Sequence, residues 1–160
     1  MNEQQTPPQT TVKVKIVSPL WRESGELPIT PATPGSAGAD LRAAITSAVT
    51  IAPGARAMIP TGLAIEIRAP GLAGFVFSRS GLGAKHGLTV AQGVGLIDPD
   101  YRGEIIVWLL NTSGEPRTVS PGERIAQLVI MPFAPARFIL AEELGDTRRG
   151  AGGFGHTGSM

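Results

Sequence analysis

At 160 residues the chain has room for one domain with a proper core and is too short to suggest two. Its net charge of +1 leaves no electrostatic footprint for non-specific nucleic-acid binding, so any nucleotide recognition must come from a local site. With no cysteine, disulfides and thiol catalysis are excluded, and 21 Gly with 14 Pro suit short strands joined by tight turns, not a helical bundle.

Residues 1–11, rich in Gln, Thr and Pro, read as a disordered lead-in without the hydrophobic core of a secretory signal. No apolar run reaches membrane-spanning length, so the default expectation is a soluble cytoplasmic domain with no membrane and no nucleic-acid partner. Val12, Val14 and Ile16 alternate with Lys13 and Lys15, the period-two pattern of a half-buried strand. Further strands are expected at Leu41–Ile45, Ala57–Ile59, Leu63–Ile67, Gly74–Phe77, Ile105–Leu110, Arg124–Met131 and Ala136–Leu140. Turn signals such as Pro53-Gly54, Pro70-Gly71 and Pro121-Gly122 separate them. No stretch sustains an amphipathic helical repeat, and at most one short helix is expected. The fold class that follows is all-β, a jelly-roll-like antiparallel β barrel. It spans residues 12–144, and a flexible C-terminal arm follows over residues 145–160.

Five segments carry candidate chemistry. Ala37-Gly38-Ala39-Asp40-Leu41 brings an acid into a strand after small residues. Ser78-Arg79-Ser80-Gly81-Leu82-Gly83 resembles a backbone nest, in which Gly aims N–H groups at an anion while Arg and Ser add charge-assisted bonds. Gly95-Leu96-Ile97-Asp98-Pro99-Asp100-Tyr101-Arg102-Gly103-Glu104 reads as a hairpin exposing polar groups at its tip. Pro121-Gly122-Glu123-Arg124-Ile125-Ala126-Gln127-Leu128 is a turn followed by a strand carrying Arg and Gln among apolar neighbours. The arm contributes Arg148-Arg149-Gly150-Ala151-Gly152-Gly153-Phe154-Gly155-His156-Thr157-Gly158, with two adjacent arginines and a lone aromatic among glycines that could be laid over a flat ligand. Each segment taken singly also has a plain structural reading: a turn cap, an edge residue, a satisfied amide or a solvated tail.

In this order and at these spacings, the five segments resemble the five motifs of the trimeric deoxyuridine triphosphatases (dUTP diphosphatases), from about Leu20 to Gly158. The resemblance implies a jelly-roll protomer, a homotrimer with shared sites, and Mg2+-assisted hydrolysis of dUTP to dUMP and pyrophosphate. That reaction keeps uracil out of DNA and supplies dUMP for thymidylate synthesis. By the same resemblance Asp98 is the carboxylate that activates water for attack on the α-phosphorus, and Asp40 belongs to the metal site through water. Arg79, Ser80, Gly81 and Gln127 would bind phosphates, and Arg149 would reach the γ-phosphate. Tyr101 would lie beneath the deoxyribose, while Phe154, followed by Gly155, would cover uracil. Uracil would be read by backbone groups of the segment containing Gly95 and Ile97.

Two positions depart from the usual pattern: Gln92 where an Asn usually faces uracil, and His156 where many relatives have Ser. A dCTP deaminase, similar in fold and in the Arg-Ser motif, needs a catalytic Glu where this chain has Trp108, which cannot shuttle a proton. A non-enzymatic jelly-roll binding module would have no reason to combine Asp98, Tyr101, Arg149 and Phe154.

Overall fold

A computed structural model describes residues 10–153 apart from Ser24 and Glu26. Eleven strands are formed among these residues: β1 (Val12–Ile16), β2 (Ala39–Arg42), β3 (Val49–Ile51), β4 (Arg56–Pro60), β5 (Leu63–Ile67) and β6 (Leu72–Ser78), then β7 (Leu88–Val90), β8 (Gly95–Ile97), β9 (Ile106–Asn111), β10 (Arg117–Val119) and β11 (Arg124–Pro132). Every pairing is antiparallel. The strands form four sheets, ordered β2-β11-β6-β8, β4-β9-β7, β1-β5 and β10-β3, around one apolar core. This is the expected all-β, jelly-roll-like class, although the described strands do not pair into one continuous barrel.

Alternation decides which side chains enter the core. In β9, Val107, Leu109 and Asn111 are buried while Ile106 and Trp108 face out. Leu41, Ile51, Ile59, Leu63, Ile105 and Ile125 are fully or almost fully buried, each contributing roughly 1.5–3 kcal/mol by burial. The buried Asn111 is satisfied: its amide donates to the carbonyls of Ile51 and Glu115 at 2.9 and 2.7 Å, and its oxygen accepts from the N–H and hydroxyl of Ser113. On β5, Glu66 lies beside Lys13 and Arg68, and the Arg68 hydrogen bond holds its carboxyl below the usual carboxylate range.

Four expectations need correction. Two short helical segments are present, α1 (Pro19–Arg22) and a π-helix (Gly81–Lys85), where at most one was expected. Both are too short to show a helical period. The strands β3, β7, β8 and β10 have three residues each and escape detection for the same reason.

The segment 136–140 is not a strand: Phe138, Ile139 and Leu140 are 93, 75 and 101% exposed. A strand is completed by hydrogen bonds to a neighbour, and none of the described strands pairs with this segment. Finally, the run Gly95–Glu104 is not a hairpin. β8 pairs with β6 and β9 pairs with β4 and β7, so the chain crosses from one sheet to another between them.

Candidate active site

Three of the five segments converge because their strands are neighbours in one sheet. Asp40 on β2 lies opposite Gln127 on β11, and Gln127 lies opposite Phe77 on β6, two residues before Arg79. The chain then leaves β6 and turns into the π-helix through Ser80, whose φ and ψ are −55° and −45°. Gly81 is not among the positive-φ glycines, so the nest expected at Arg79-Ser80-Gly81 is replaced by a right-handed turn. Ser80 and Gly81 remain exposed there, beside the cleft.

The cleft has a volume of ≈ 430 Å3. Asp40 and Arg79 form its floor: Arg79 Nε donates to Asp40 Oδ1 at 2.8 Å, and a second nitrogen donates to the Arg124 carbonyl at 3.2 Å. Arg124 in turn donates to Asp40 Oδ2 at 3.1 Å. Gln127 is anchored by donating to the Ser78 carbonyl at 3.2 Å. Gly38 faces it closely: a Cβ there would come within 3.0 Å of Gln127 Oε1 and 3.3 Å of a Val129 methyl. Two guanidinium groups against one carboxylate leave the lining net positive, which suits a polyanion such as a triphosphate.

Arg124 and Gly38 belong to the quoted segments, but neither was singled out as a site residue. In a regular strand, Arg124 and Gln127, three apart, would face opposite sides. The pairing of β11 with β2 shifts register between Arg124 and Ala126, and Ile125 and Ala126 are both buried. This bulge turns both polar side chains toward the cleft. The sequence signal is the apolar pair Ile125-Ala126 between two polar residues, which breaks strict alternation.

The other expected residues lie elsewhere. Asp98 follows β8 and opens a turn in which the Tyr101 N–H donates to the Asp98 carbonyl at 3.1 Å, with Pro99 in the favoured second position. Asp98 is exposed and Tyr101 is 45% exposed. Gly95 is buried and Ile97 half-buried. Gln92 is exposed, with its amide folded back on Gly95: a Cβ at Gly95 would lie 3.3 Å from Gln92 Nε2. Arg149 is exposed in the arm, and its carbonyl accepts from Gly152 N at 3.0 Å. None of these residues lines the cleft of the same protomer. Phe154 and Gly155 lie outside the described residues.

Comparison with known proteins places this geometry. The dUTPase family model matches residues 26–158. The chain belongs to the dUTPase family. Among its relatives, the deoxyuridine 5'-triphosphate nucleotidohydrolase of Desulfitobacterium hafniense is 51% identical over 148 residues, 92% of this chain and 97% of the relative. The enzyme of that name from Citrobacter koseri is also 51% identical, over 92% of this chain and 96% of its own. Among solved structures, a Staphylococcus bacteriophage 80alpha dUTPase mutant with dUpNHpp superposes with a TM-score of 0.74 at 26% identity. It covers 94% of this chain and 99% of its own. The Streptococcus mutans dUTPase gives a TM-score of 0.62 at 31% identity, covering 69% and 88%.

Within this dUTPase-family chain, Trp108 stands apart from the cleft. It lies on the outer face of β9 opposite Met58, 46% exposed, and an indole there cannot shuttle a proton.

Magnesium can be tested against the same cleft. Among the described residues no cluster of three or more His, Cys, Asp or Glu could cage a metal ion. Each Asp40 oxygen accepts one guanidinium N–H and keeps a second lone pair for water. This donor set fits a cation held mostly by water and ligand phosphate oxygens, the coordination Mg2+ prefers.

Proposed function

We propose that the chain hydrolyses dUTP to dUMP and pyrophosphate as a homotrimer. The observation that carries the reading is the positive Asp40–Arg79–Arg124 cleft beside Ser80, Gly81 and Gln127, within a dUTPase-family chain. It provides charge for three phosphates but no free base or sugar platform. Asp98 and Tyr101 supply those functions from a separate exposed segment. A site assembled between subunits reconciles the two halves.

Trimerisation is supported by apolar surface that a lone protomer leaves in water. On the outer face of β4 and β9, Met58, Ile106 and Trp108 are 52, 40 and 46% exposed, and the uncovered segment 138–140 adds three large side chains. Exposure on this scale is characteristic of an interface.

In the proposed reaction, Arg79, Arg124, Ser80, Gly81 and Gln127 gather the phosphates into one conformation. The Asp98 carboxylate takes a proton from water as its oxygen forms a bond to the α-phosphorus. The bond from that phosphorus to the oxygen bridging the β-phosphate breaks, and pyrophosphate departs with the electron pair. Positioning and charge stabilisation supply most of the acceleration. Mg2+, when held by phosphate oxygens and water beside Asp40, would neutralise charge developing on the triphosphate. Arg149 reaches the γ-phosphate from the arm, Phe154 and Gly155 close over uracil, and Tyr101 leaves no room for a 2′-hydroxyl.

The test is pyrophosphate release with Mg2+ from dUTP, dCTP, dTTP and UTP, with products identified. Release from dUTP alone, leaving dUMP, is the expected result; no release from dUTP would overturn the reading.

Gln92 is expected to contribute little to uracil affinity, because its longer side chain is exposed and turned onto Gly95. Gln92→Ala should weaken dUTP binding by less than about tenfold in titration calorimetry. A larger loss would make the amide a direct reader of the base.

A further inference from the structure

Tyr101 is anchored through its neighbour three residues on. Its hydroxyl donates to the Glu104 carbonyl at 3.0 Å, and its ring fills the space that a side chain on Gly103 would need. Glu104 is itself fastened to the turn between β4 and β5. Its carboxylate accepts the Gly62 N–H at 2.7 Å, a charge-assisted bond at a half-buried position.

The turn offering that N–H is rigid for reasons of its own. Gly62 has φ +69°, and a Cβ there would meet Ser18 and Trp21 side-chain atoms at 2.6–2.8 Å, so glycine is required. The Gly62 carbonyl accepts from the N–H groups of Val17 and Ser18, and the Trp21 indole donates to the Thr61 carbonyl at 2.7 Å. The strand entering β9 does not depend on the Glu104 carboxylate for its register. Ile105 accepts from the Thr61 N–H and hydroxyl at 3.2 and 2.6 Å and donates to the Leu63 carbonyl at 2.7 Å. Thr61 and Ile105 are fully buried. The Ile105 N–H shares a peptide plane with the Glu104 carbonyl, so these bonds also hold that carbonyl, and the carboxylate adds a separate tie at the point where the exposed Tyr101–Gly103 segment joins the strand.

We infer that Glu104 is a positioning residue for sugar selection, its carboxylate bond to the Gly62 amide tying down the point where the segment that carries Tyr101 joins the strand. The inference rests on the reading of Tyr101 as the group beneath the deoxyribose. A ring that is free to tilt would make room for a 2′-hydroxyl, so the residue acts on discrimination between dUTP and UTP more than on turnover.

The experiment measures kcat and KM on dUTP and UTP, with Tm, for full-length wild type, Glu104→Ala, Glu104→Gln, Tyr101→Phe and the Glu104→Ala/Tyr101→Phe double variant. Glu104→Ala should reduce the dUTP-over-UTP ratio of kcat/KM by about tenfold, mainly through KM, because an unpaired half-buried N–H and a loosened loop follow. Glu104→Gln keeps an acceptor oxygen and should restore the ratio to within about twofold. Tyr101→Phe removes the bond to the Glu104 carbonyl and should lower the ratio by itself. The double variant should be no worse than the poorer single variant, the mark of groups acting in series.

A lowered Tm in Glu104→Ala with an unchanged ratio would overturn the inference. So would an unchanged ratio in Tyr101→Phe, which keeps the Glu104 bond and tests the chain from its other end if Glu104→Ala does not fold. Failure of the wild type to hydrolyse dUTP would instead remove the proposed function.

Discussion

Asp98→Asn is expected to lose about 10²–10⁴-fold in kcat while dUTP affinity stays within about threefold of wild type, the signature of a removed general base. The substitution is isosteric, and its local structure should survive. Asp98 is exposed, its backbone carbonyl accepts from Tyr101 N, and none of its side-chain atoms braces the core. Asn is as well suited as Asp to the first position of such a turn. The loss should therefore be chemical: an amide cannot take a proton from water at neutral pH, while the proposed phosphate contacts from Arg79, Arg124 and Gln127 would remain intact. Single-turnover kinetics beside calorimetric titration with dUTP would separate the two effects. Near-wild-type turnover would remove Asp98 from the mechanism. A parallel collapse of binding would mean that its charge holds the nucleotide.

Ending the chain at Asp146 is the second large effect, an expected loss of at least about 100-fold in turnover with folding and assembly unchanged. The described part of the arm is exposed throughout, and its backbone bonds are local, Gly150 N to the Thr147 carbonyl and Gly152 N to the Arg149 carbonyl, each at 3.0 Å. Among the described residues, no core residue is hydrogen-bonded to it, so its removal should change stability by no more than about 0.5 kcal/mol. Arg149 would be lost together with Phe154, so both the proposed γ-phosphate clamp and the proposed cover that excludes bulk water would go. Thermal unfolding and light scattering should match the full-length protein. An unfolded or dissociated product would show that the arm is structural and that closure over the nucleotide is not its task.

The site was legible in the sequence to different depths in different segments. Asp40, Arg79 and Gln127 could be named because their types and spacing match a pattern, yet no periodicity places them in one cleft. That result needs β2, β11 and β6 side by side, and long-range pairing is set by packing across the sheet, not by local preference. Arg124 joins Asp40 only because a bulge reverses its facing, a shift of one residue in the pairing. In the sequence Glu104 reads as the end of a polar turn; only the fold sets the Gly62 amide, 42 residues away in the chain, against its carboxylate.

The amino-acid sequence alone determined the all-β class, the longer strands and the five chemical segments. These rest on alternation, turn residues and side-chain type, which are local properties. The tertiary structure decided that Gly95–Glu104 crosses between sheets, because strand partners are chosen by burial of whole faces. It also decided that Phe138, Ile139 and Leu140 form no strand in the protomer. Their composition suits a strand, but a strand exists only where a second edge supplies its hydrogen bonds, and local sequence carries no information about that edge.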